Sequence, residues 1–324
     1  MIQEIIKNIY QIKIPLPGNP LRALNSYLIK GRGRSLLVDT GFNWPECKQA
    51  QLEAMAALKV NWSEIDFFIT HVHGDHSGLV YALAQPDSRI YCSRIDADLM
   101  RASMTDAWWR EVNTFFSQHG FPRQKIRNQA ANMKDYISGS DLAFEYVEEG
   151  DVLAAGGYNL VSIATPGHSP GHLCLYEPHY KFLISGDHIL SDITPNITPW
   201  LGVDDSLGQY LASLEKVYAM DIGLVLPGHR AIISDHRGRI DEIRIHHDSR
   251  LAEILTILAN GPMNAYQVAS KMHWDLTYTT WAEYPSFQKW FATGEAIAHL
   301  EHLTWQSRVR QILQETGLVY RLAP

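Results

Sequence analysis

Apolar residues in the first 95 positions fall into short runs with strand character: IYQIKIPL at 9–16, LNSYLIK at 24–30, SLLVDTG at 35–41, IDFFIT at 65–70 and RIYCSR at 89–94. The turn-forming GRGR separates the second run from the third, and ECKQAQLEAMAAL at 46–58 has helical spacing. A second β-rich block follows from 151, with YNLVSIATPGH, HLCLYE, KFLISGD and IGLVLPGH. The two blocks read as two halves of one layered domain. Between them, residues 96–140 turn helical and carry Trp108, Trp109, Phe115 and Phe116. Clustered aromatics there suit a lid over a pocket as well as they suit ordinary core packing.

After His229 the strands stop. A long helix is expected from 238, ended by NGP at 260–262, then a short helix in NAYQVASKMH with Asn264 as its cap. A third helix runs through FATGEAIAHLEHLTWQSRV, and RQILQETGLVYRL reads as two strands turning around Glu315, Thr316 and Gly317. Three helices and a hairpin describe a small winged-helix unit over 238–324, following a larger domain over 1–237.

The 324 residues are 46% hydrophobic and 19% charged, the balance of an ordinary globular protein. A net charge of -7 disfavours non-specific binding to a long polyanion. Cys47, Cys92 and Cys174 form no CxxC pair, and MIQEIIKNIYQIKIP lacks the pattern of a signal peptide. A cytoplasmic protein without membrane segments is therefore expected.

The chemistry concentrates in THVHGDHSG, where His71, His73, Asp75 and His76 fall within six positions at the end of a strand. Imidazole and carboxylate are ligands for zinc, iron and manganese, and so many costly polar groups at one spot call for a cation. Three more candidates end β runs at turns: His168 in ATPGHSPGH, Asp187 in LISGDHIL and His229 in LVLPGHR. Repetition of that grammar predicts several strand ends converging on one rim.

These motifs together resemble the metallo-β-lactamase superfamily of binuclear hydrolases, most closely its glyoxalase II-like branch, over residues 1 to about 235. The resemblance implies an αββα sandwich with the helical insertion at 96–140. It implies that His71, His73 and His168 bind one divalent ion, that Asp75, His76 and His229 bind a second, and that Asp187 bridges both. Zinc is the first expectation, with iron and manganese as alternatives. It further implies that Asp39 in LLVDTG holds ligands or loop backbone by hydrogen bonds, and that a bridging hydroxide attacks the substrate while Asp75 takes up a proton as the catalytic carboxylate. The bridging Asp187 argues against antibiotic hydrolysis as the main activity. His172, His188, His246 and His247 are weaker candidates, read first as structural or solvent-facing, and Cys174 as a packed strand residue.

The C-terminal unit and GDHILSDITPNI narrow the resemblance to the β-lactamase-like protein 2 branch, whose members include ribonucleases acting on single-stranded RNA and acyl-carrier-protein thioesterases. The C-terminal basic residues are interspersed with Asp and Glu, so a packing role is expected, closing one side of the cleft or forming a homodimer contact. The loops HVHGDHSG, PGHSPGH and GDHILSDITPN contain no Lys or Arg, leaving Arg230 beside a ligand. The leading substrate is accordingly a small acyl ester or thioester. An endoribonuclease, a lactonase and a non-enzymatic binding module are the alternatives.

Overall fold

The computed structural model describes residues 1–123, 142–275, 278–315 and 317–324. The first sheet holds β1 (Ile2–Ile6), β2 (Ile9–Pro15), β3 (Ala23–Ile29), β4 (Ser35–Val38), β5 (Ile65–Phe68), β6 (Ile90–Cys92) and β7 (Glu145–Tyr146) in chain order. Its pairings are antiparallel from β1 to β4 and parallel from β4 to β7. The second sheet runs β12-β11-β10-β9-β8, with β8 (Val152–Ala155), β9 (Tyr158–Ala164), β10 (Leu173–Glu177), β11 (Phe182–Gly186) and β12 (Leu224–Pro227). Only the β11–β12 pair is parallel there.

Strand alternation sorts the apolar residues into layers, because successive side chains point to opposite faces. Leu36, Val38 and Phe68 meet Leu173, Leu175, Phe182 and Ile184 between the sheets. Leu37, Phe67 and Ile69 face outward onto Cys47, Ala54 and Met55 of α1 (Pro45–Leu58) and onto Val80 and Leu83 of α3 (Val80–Leu83), which follows the short α2 (Gly74–Ser77). Ala97 and Met100 of α4 (Arg94–Ser103) complete that layer. On the other side, Cys174, Leu183 and Val225 face α6 (Ser206–Tyr218) and α7 (His236–Leu258). The αββα expectation holds, and strands buried on both faces explain why these runs are apolar almost throughout.

The helical insertion begins as expected with α4 and α5 (Asp106–Gln118); its remainder, from 124, lies outside the described residues. Trp108 and Trp109 diverge: Trp109 is buried and donates its indole N–H to the Ser103 carbonyl at 2.7 Å, whereas Trp108 is half-buried. Phe116 stacks on Trp290 at 3.6 Å between ring centroids, so that residue is core.

Beyond β12 come α7, α8 (Ala265–Ala269), α9 (Ser286–Trp305) and the hairpin of β13 (Val309–Gln314) and β14 (Gly317–Leu322). Asn264 caps α8 in a reciprocal capping box with Gln267. The expected turn residue Thr316 lies outside the described residues. Apolar residues of α7, α8, α9 and the hairpin join the cluster that covers the second sheet, Ile243, Val268, Ile297 and Tyr320 among them. None of the described helices is long and apolar enough to cross a membrane.

His119, at the end of α5, is 1% exposed and bonds the Tyr320 hydroxyl at 2.9 Å through Nδ1, tying the insertion to the hairpin. Burial lowers its pKa from 6.5 to about 4. Because the folded value is the depressed one, the stability this group contributes is present above pH 6.5 and is lost as pH falls toward 4, where the unfolded chain takes the proton first. Acidification across that window is expected to destabilise His119→Asn by about 2 kcal/mol less than the parent chain. Urea unfolding at both ends of the window checks this, and equal losses in the two proteins count against it.

Candidate metal centre

The parallel pairs β4–β5 and β11–β12 bring strand C-termini to one rim, and His71, His73, Asp75, His76, His168, Asp187 and His229 lie just beyond such an end or in an adjoining turn or short helix. His71 and His73 follow β5, and Asp75 and His76 sit in α2. His168 lies between β9 and β10, Asp187 directly follows β11, and His229 follows β12. Close approach is enforced at Gly228. A Cβ there would lie 2.7 Å from both Asp187 Oδ1 and His76 Cε1, so any side chain would displace them.

Three groups result whose potential donor atoms lie within 4.8 Å of one another: His71, His73 and His168; His71, His76 and Asp187; Asp75, His76 and His229. Hydrogen bonds behind the rings decide which nitrogens face inward. Thr70 Oγ1 donates to Asp39, so the contact from His71 Nδ1 to that oxygen, 2.9 Å, makes Nδ1 the N–H and leaves the lone pair on Nε2. His168 Nδ1 donates to the Asn196 carbonyl at 2.8 Å, and its Nε2 is buried with no hydrogen-bond partner. His229 Nδ1 donates to the Ala23 carbonyl at 2.8 Å and His76 Nδ1 to Asp39 Oδ2 at 2.7 Å. The Nε2 atoms of His76 and His229 consequently face each other at 3.3 Å. His229 Nε2 is also 3.3 Å from Asp75 Oδ2, and His76 Nε2 is 3.4 Å from Asp187 Oδ1. The lone pairs of His71 and His168 and the carboxylates of Asp75 and Asp187 converge in a buried space, and positive charge there, a proton on His76 or a metal ion in its place, relieves their repulsion. The donor set therefore fits divalent metal ions.

Protonation follows the same division. Burial, reinforced by the neighbouring imidazoles, holds His71 well below its ordinary value and His73 at about 3, so that side of the site stays neutral. Burial opposes protonation of His76 as well, but the carboxylates of Asp187, Asp39 and Asp75 outweigh it and raise His76 well above 6.5. For Asp75 and Asp187 burial is again overcome, here by the His76 and His229 imidazoles, which leave Asp75 at about 2 and Asp187 well below the carboxylate range. Both carboxylates stay ionised and draw positive charge into the centre.

The supporting residues are as specific as the donors. Asp39 adopts a left-handed φ of 57°, a conformation that Asp tolerates better than most residues. It accepts from Thr70 N at 2.9 Å and from His76 Nδ1, fixing both halves of the THVHGDH loop. Asp96, which the sequence reading passed over inside the insertion, is fully buried and accepts from Val72 N at 2.9 Å, Gly171 N at 2.7 Å and Ser169 Oγ at 2.5 Å. It thereby clamps the loop of His71 and His73 to the loop of His168. Its signal was slight: a Ser93 cap with an acid at the third helical position. Asn25, also missed, holds the end of β12 by donating to the Pro227 carbonyl at 2.8 Å. Among the weaker candidates, His172 is buried beside His71, with ring centroids 5.0 Å apart, and bonds Thr165 Oγ1 at 2.8 Å. His188 packs near Tyr210, and His247 pairs with His299 at 3.0 Å away from the donor groups. His246 packs beside His247, with ring centroids 5.3 Å apart.

Trp200 forms one wall of the site, its ring centroid 5.8 Å from that of His73 and its indole N–H donating to the His168 carbonyl at 3.2 Å. The same residue borders a cleft of about 490 Å³ lined by Phe115, Val203 and Trp305, with Asp204 and Glu301 as its acidic groups. Of the insertion aromatics, Phe115 thus reaches a cleft beside the centre while Phe116 serves the core.

With this geometry in place, the sequence model of the metallo-beta-lactamase superfamily matches residues 20–229. The chain belongs to that superfamily. Its members are generally metal-dependent hydrolases, and its His and Asp clusters here are able to bind metal ions. A second family model, the metallo-beta-lactamase-like C-terminal domain, matches residues 251–323. The superfamily chain is 29% identical over 240 residues to a beta-lactamase-like protein 2 homolog of Caenorhabditis elegans, a match covering 74% of this chain and 66% of that protein. It is 26% identical to the lactamase-like protein nscB of Aspergillus fumigatus over 75% of its own length but only 60% of the fungal protein's. Among solved structures, a metallo-beta-lactamase family protein from Thermus thermophilus superposes with a TM-score of 0.83 at 25% identity, covering 98% of this chain and 100% of that one. BJP-1, a subclass B3 metallo-beta-lactamase of Bradyrhizobium japonicum, shares the fold over 78% of this chain and 94% of its own, with a TM-score of 0.54 and 19% identity.

Asp96→Asn is expected to turn an amide N–H₂ toward backbone N–H donors, leaving at least one buried donor unpaired at a cost of about 2 kcal/mol. Urea unfolding measures it, and an unchanged midpoint would show that the clamp contributes nothing.

Proposed function

We propose that the protein is a binuclear metal-dependent hydrolase of a small acyl ester or thioester. His71, His73 and His168 would hold one ion, Asp75, His76 and His229 the other, and Asp187 would lie between them. Zinc is the leading identity for this nitrogen- and oxygen-rich set, with iron and manganese as alternatives. Bound there, two divalent ions would lower the pKa of water and polarise a carbonyl oxygen. The chain's own contribution is orientation and proton handling. Thr70, Asn196, Ala23 and Asp39 hold the Nδ1 hydrogens of His71, His168, His229 and His76 away from the centre. Asp75, whose carboxylate stays ionised, would serve as the proton acceptor as the scissile bond breaks.

The observation that carries the choice of substrate is the cleft beside Trp200. Phe115, Trp200, Leu201, Val203 and Trp305 give it apolar surface beside the polar Thr304 and Gln311, and its acidic groups, Asp204 and Glu301, offer no attraction to a phosphodiester and leave an uncharged acyl compound the better fit. No Lys or Arg is among the described residues that line the cleft, and several arginines are paired with acids: Arg230 lies 3.8 Å from Asp192, Arg239 pairs with Glu242, Arg244 with Glu215, and Arg250 with Glu253. An RNA strand needs several such cations for its phosphates. The two family matches, ending at 229 and starting at 251, support a division into a hydrolase domain over 1–237 and a smaller C-terminal domain over 238–324. Three buried, unbridged cysteines fit a reducing cytoplasm.

Protein purified without chelator is expected to carry two ions per chain by elemental analysis, and Asp187→Ala at most one. A content of one or less in the parent would refute the binuclear reading. With one metal-loaded preparation, kcat/KM on a small thioester or ester should exceed that on single-stranded RNA at matched salt. Asp75→Asn should lower ester turnover by about 100-fold or more. Metal-dependent RNA cleavage that surpasses ester hydrolysis and vanishes in Asp75→Asn would reverse the assignment to the ribonuclease alternative.

A further inference from the structure

His168 reaches the metal centre on a short connection, but what fixes its ring comes from far along the chain. Its Nδ1 donates to the carbonyl of Asn196 at 2.8 Å. The Asn196 side chain in turn donates from Nδ2 to Glu295 Oε2 at 3.3 Å, and Glu295 lies on α9. Glu295 is itself anchored: Arg250 Nε of α7 donates to Glu295 Oε1 at 3.3 Å. That guanidinium is immobilised through Nη1 by Glu253 at 2.8 Å and the His273 carbonyl at 2.6 Å. A second contact presses the same loop against the same helix. At Gly294 an added Cβ would stand 2.5 Å from Thr198 Oγ1, so α9 can seat against residues 196–198 only because that position has no side chain.

We infer that Glu295 is a positioning residue for the metal centre, holding the His168 ring through Asn196, so that α7 and α9 form part of the scaffold of one metal site. The inference rests on the ligand assignment proposed above. Its physical basis is that a ligating imidazole is oriented by the group accepting its other N–H, and that acceptor here is a loop carbonyl with little regular structure of its own. Residues 192–200 belong to no helix or strand. Without the Asn196–Glu295 bond, the carbonyl is free to swing, and the His168 Nε2 lone pair swings with it. The other ion would be little affected, because His76 and His229 are oriented by Asp39 and Ala23, remote from α9 in the chain.

Zinc(II) binding to the full chain, measured by competition with a chromophoric chelator, tests this without reference to turnover. The parent should show two binding events. Glu295→Ala and Asn196→Ala should each weaken one of them by about 10- to 100-fold and leave the other within about threefold. The double variant should be no worse than either single one, as two members of one chain of contacts require. Asn196→Ala keeps the backbone carbonyl and removes no contact between α7 and α9, so it remains informative if Glu295→Ala fails to fold. Selective weakening in Asn196→Ala supports the inference. Two parent-like affinities in Asn196→Ala overturn it, even if Glu295→Ala melts at lower temperature, because Glu295 would then serve only the Arg250 contact. A parent chain that binds no zinc(II) overturns the ligand assignment itself, and the inference with it.

Discussion

Mutual repulsion among electron pairs is the constraint on which the rest of the structure depends. The inward nitrogens of His71, His168, His76 and His229 and the carboxylates of Asp75 and Asp187 converge in a largely buried space, where the two ionised carboxylates and the lone pairs of His71 and His168 need positive charge, a proton on His76 or a metal ion, to offset them. Such a cluster persists only if each ring is held from behind. The fold supplies a separate acceptor for each of these four Nδ1 hydrogens: Thr70 backed by Asp39, the Asn196 carbonyl, Asp39 itself and the Ala23 carbonyl. Their work is to set the tautomer before any ion arrives, so that ion binding has little reorganisation to offset.

The same constraint explains why two sheets are needed. A single parallel strand end can present one loop, whereas this centre draws on the ends of β5, β9, β11 and β12. Those ends are brought into register by bonds that cross between elements. Leu173 N donates to the Thr70 carbonyl at 2.9 Å, Asn25 grips Pro227, and Asp96 spans the loops of His71 and His168. Outside this frame, the C-terminal helices complete the apolar cover of the second sheet, while Glu295 reaches the loop that holds His168 and Trp305 lines the cleft beside Trp200. Packing and site support are thus served by the same helix, α9.

Electrostatics then separates two kinds of acidic group. At the centre, ionised carboxylates wait for cations; in the adjoining cleft, Asp204 and Glu301 offer anions no counter-charge. Burial and the neighbouring Asp205 and Asp204 push Glu301 up to about 8, so near neutral pH it tends to keep its proton and present a hydrogen-bond donor among aromatic walls. Under the proposed function, a cleft of this character would select by shape and apolar contact rather than by charge.

Much of this was legible in the chain before any coordinates. Short apolar runs ending in ligand-bearing turns specified the layered fold, because a strand buried on both faces has to be apolar throughout and its chemistry has to wait for the turn that follows. His71, His73, Asp75 and His76 announced themselves by density, and His168, Asp187 and His229 by repeating the same strand-then-turn grammar. Asp39 was expected only through the resemblance that its LLVDTG motif carries. What the sequence did not reveal was the set of long-range hydrogen bonds made by Asp96, Asn25, Asn196 and Glu295, polar residues in helices, strands or loops whose local sequence says little about whether they are buried or solvated. Nor could spacing show that Phe115 would border a cleft while its neighbour Phe116 joined the core, since adjacent helical residues point about 100° apart and only the packing of α5 against α9 decides which way each one faces. Local patterning determined which residues carry the chemistry, because metal ligands and strand periodicity act over a few positions. Tertiary structure decided most of what holds them, because apart from the Thr70 contact of His71 the supporting bonds join residues distant in the chain that only folding brings within about 3.5 Å.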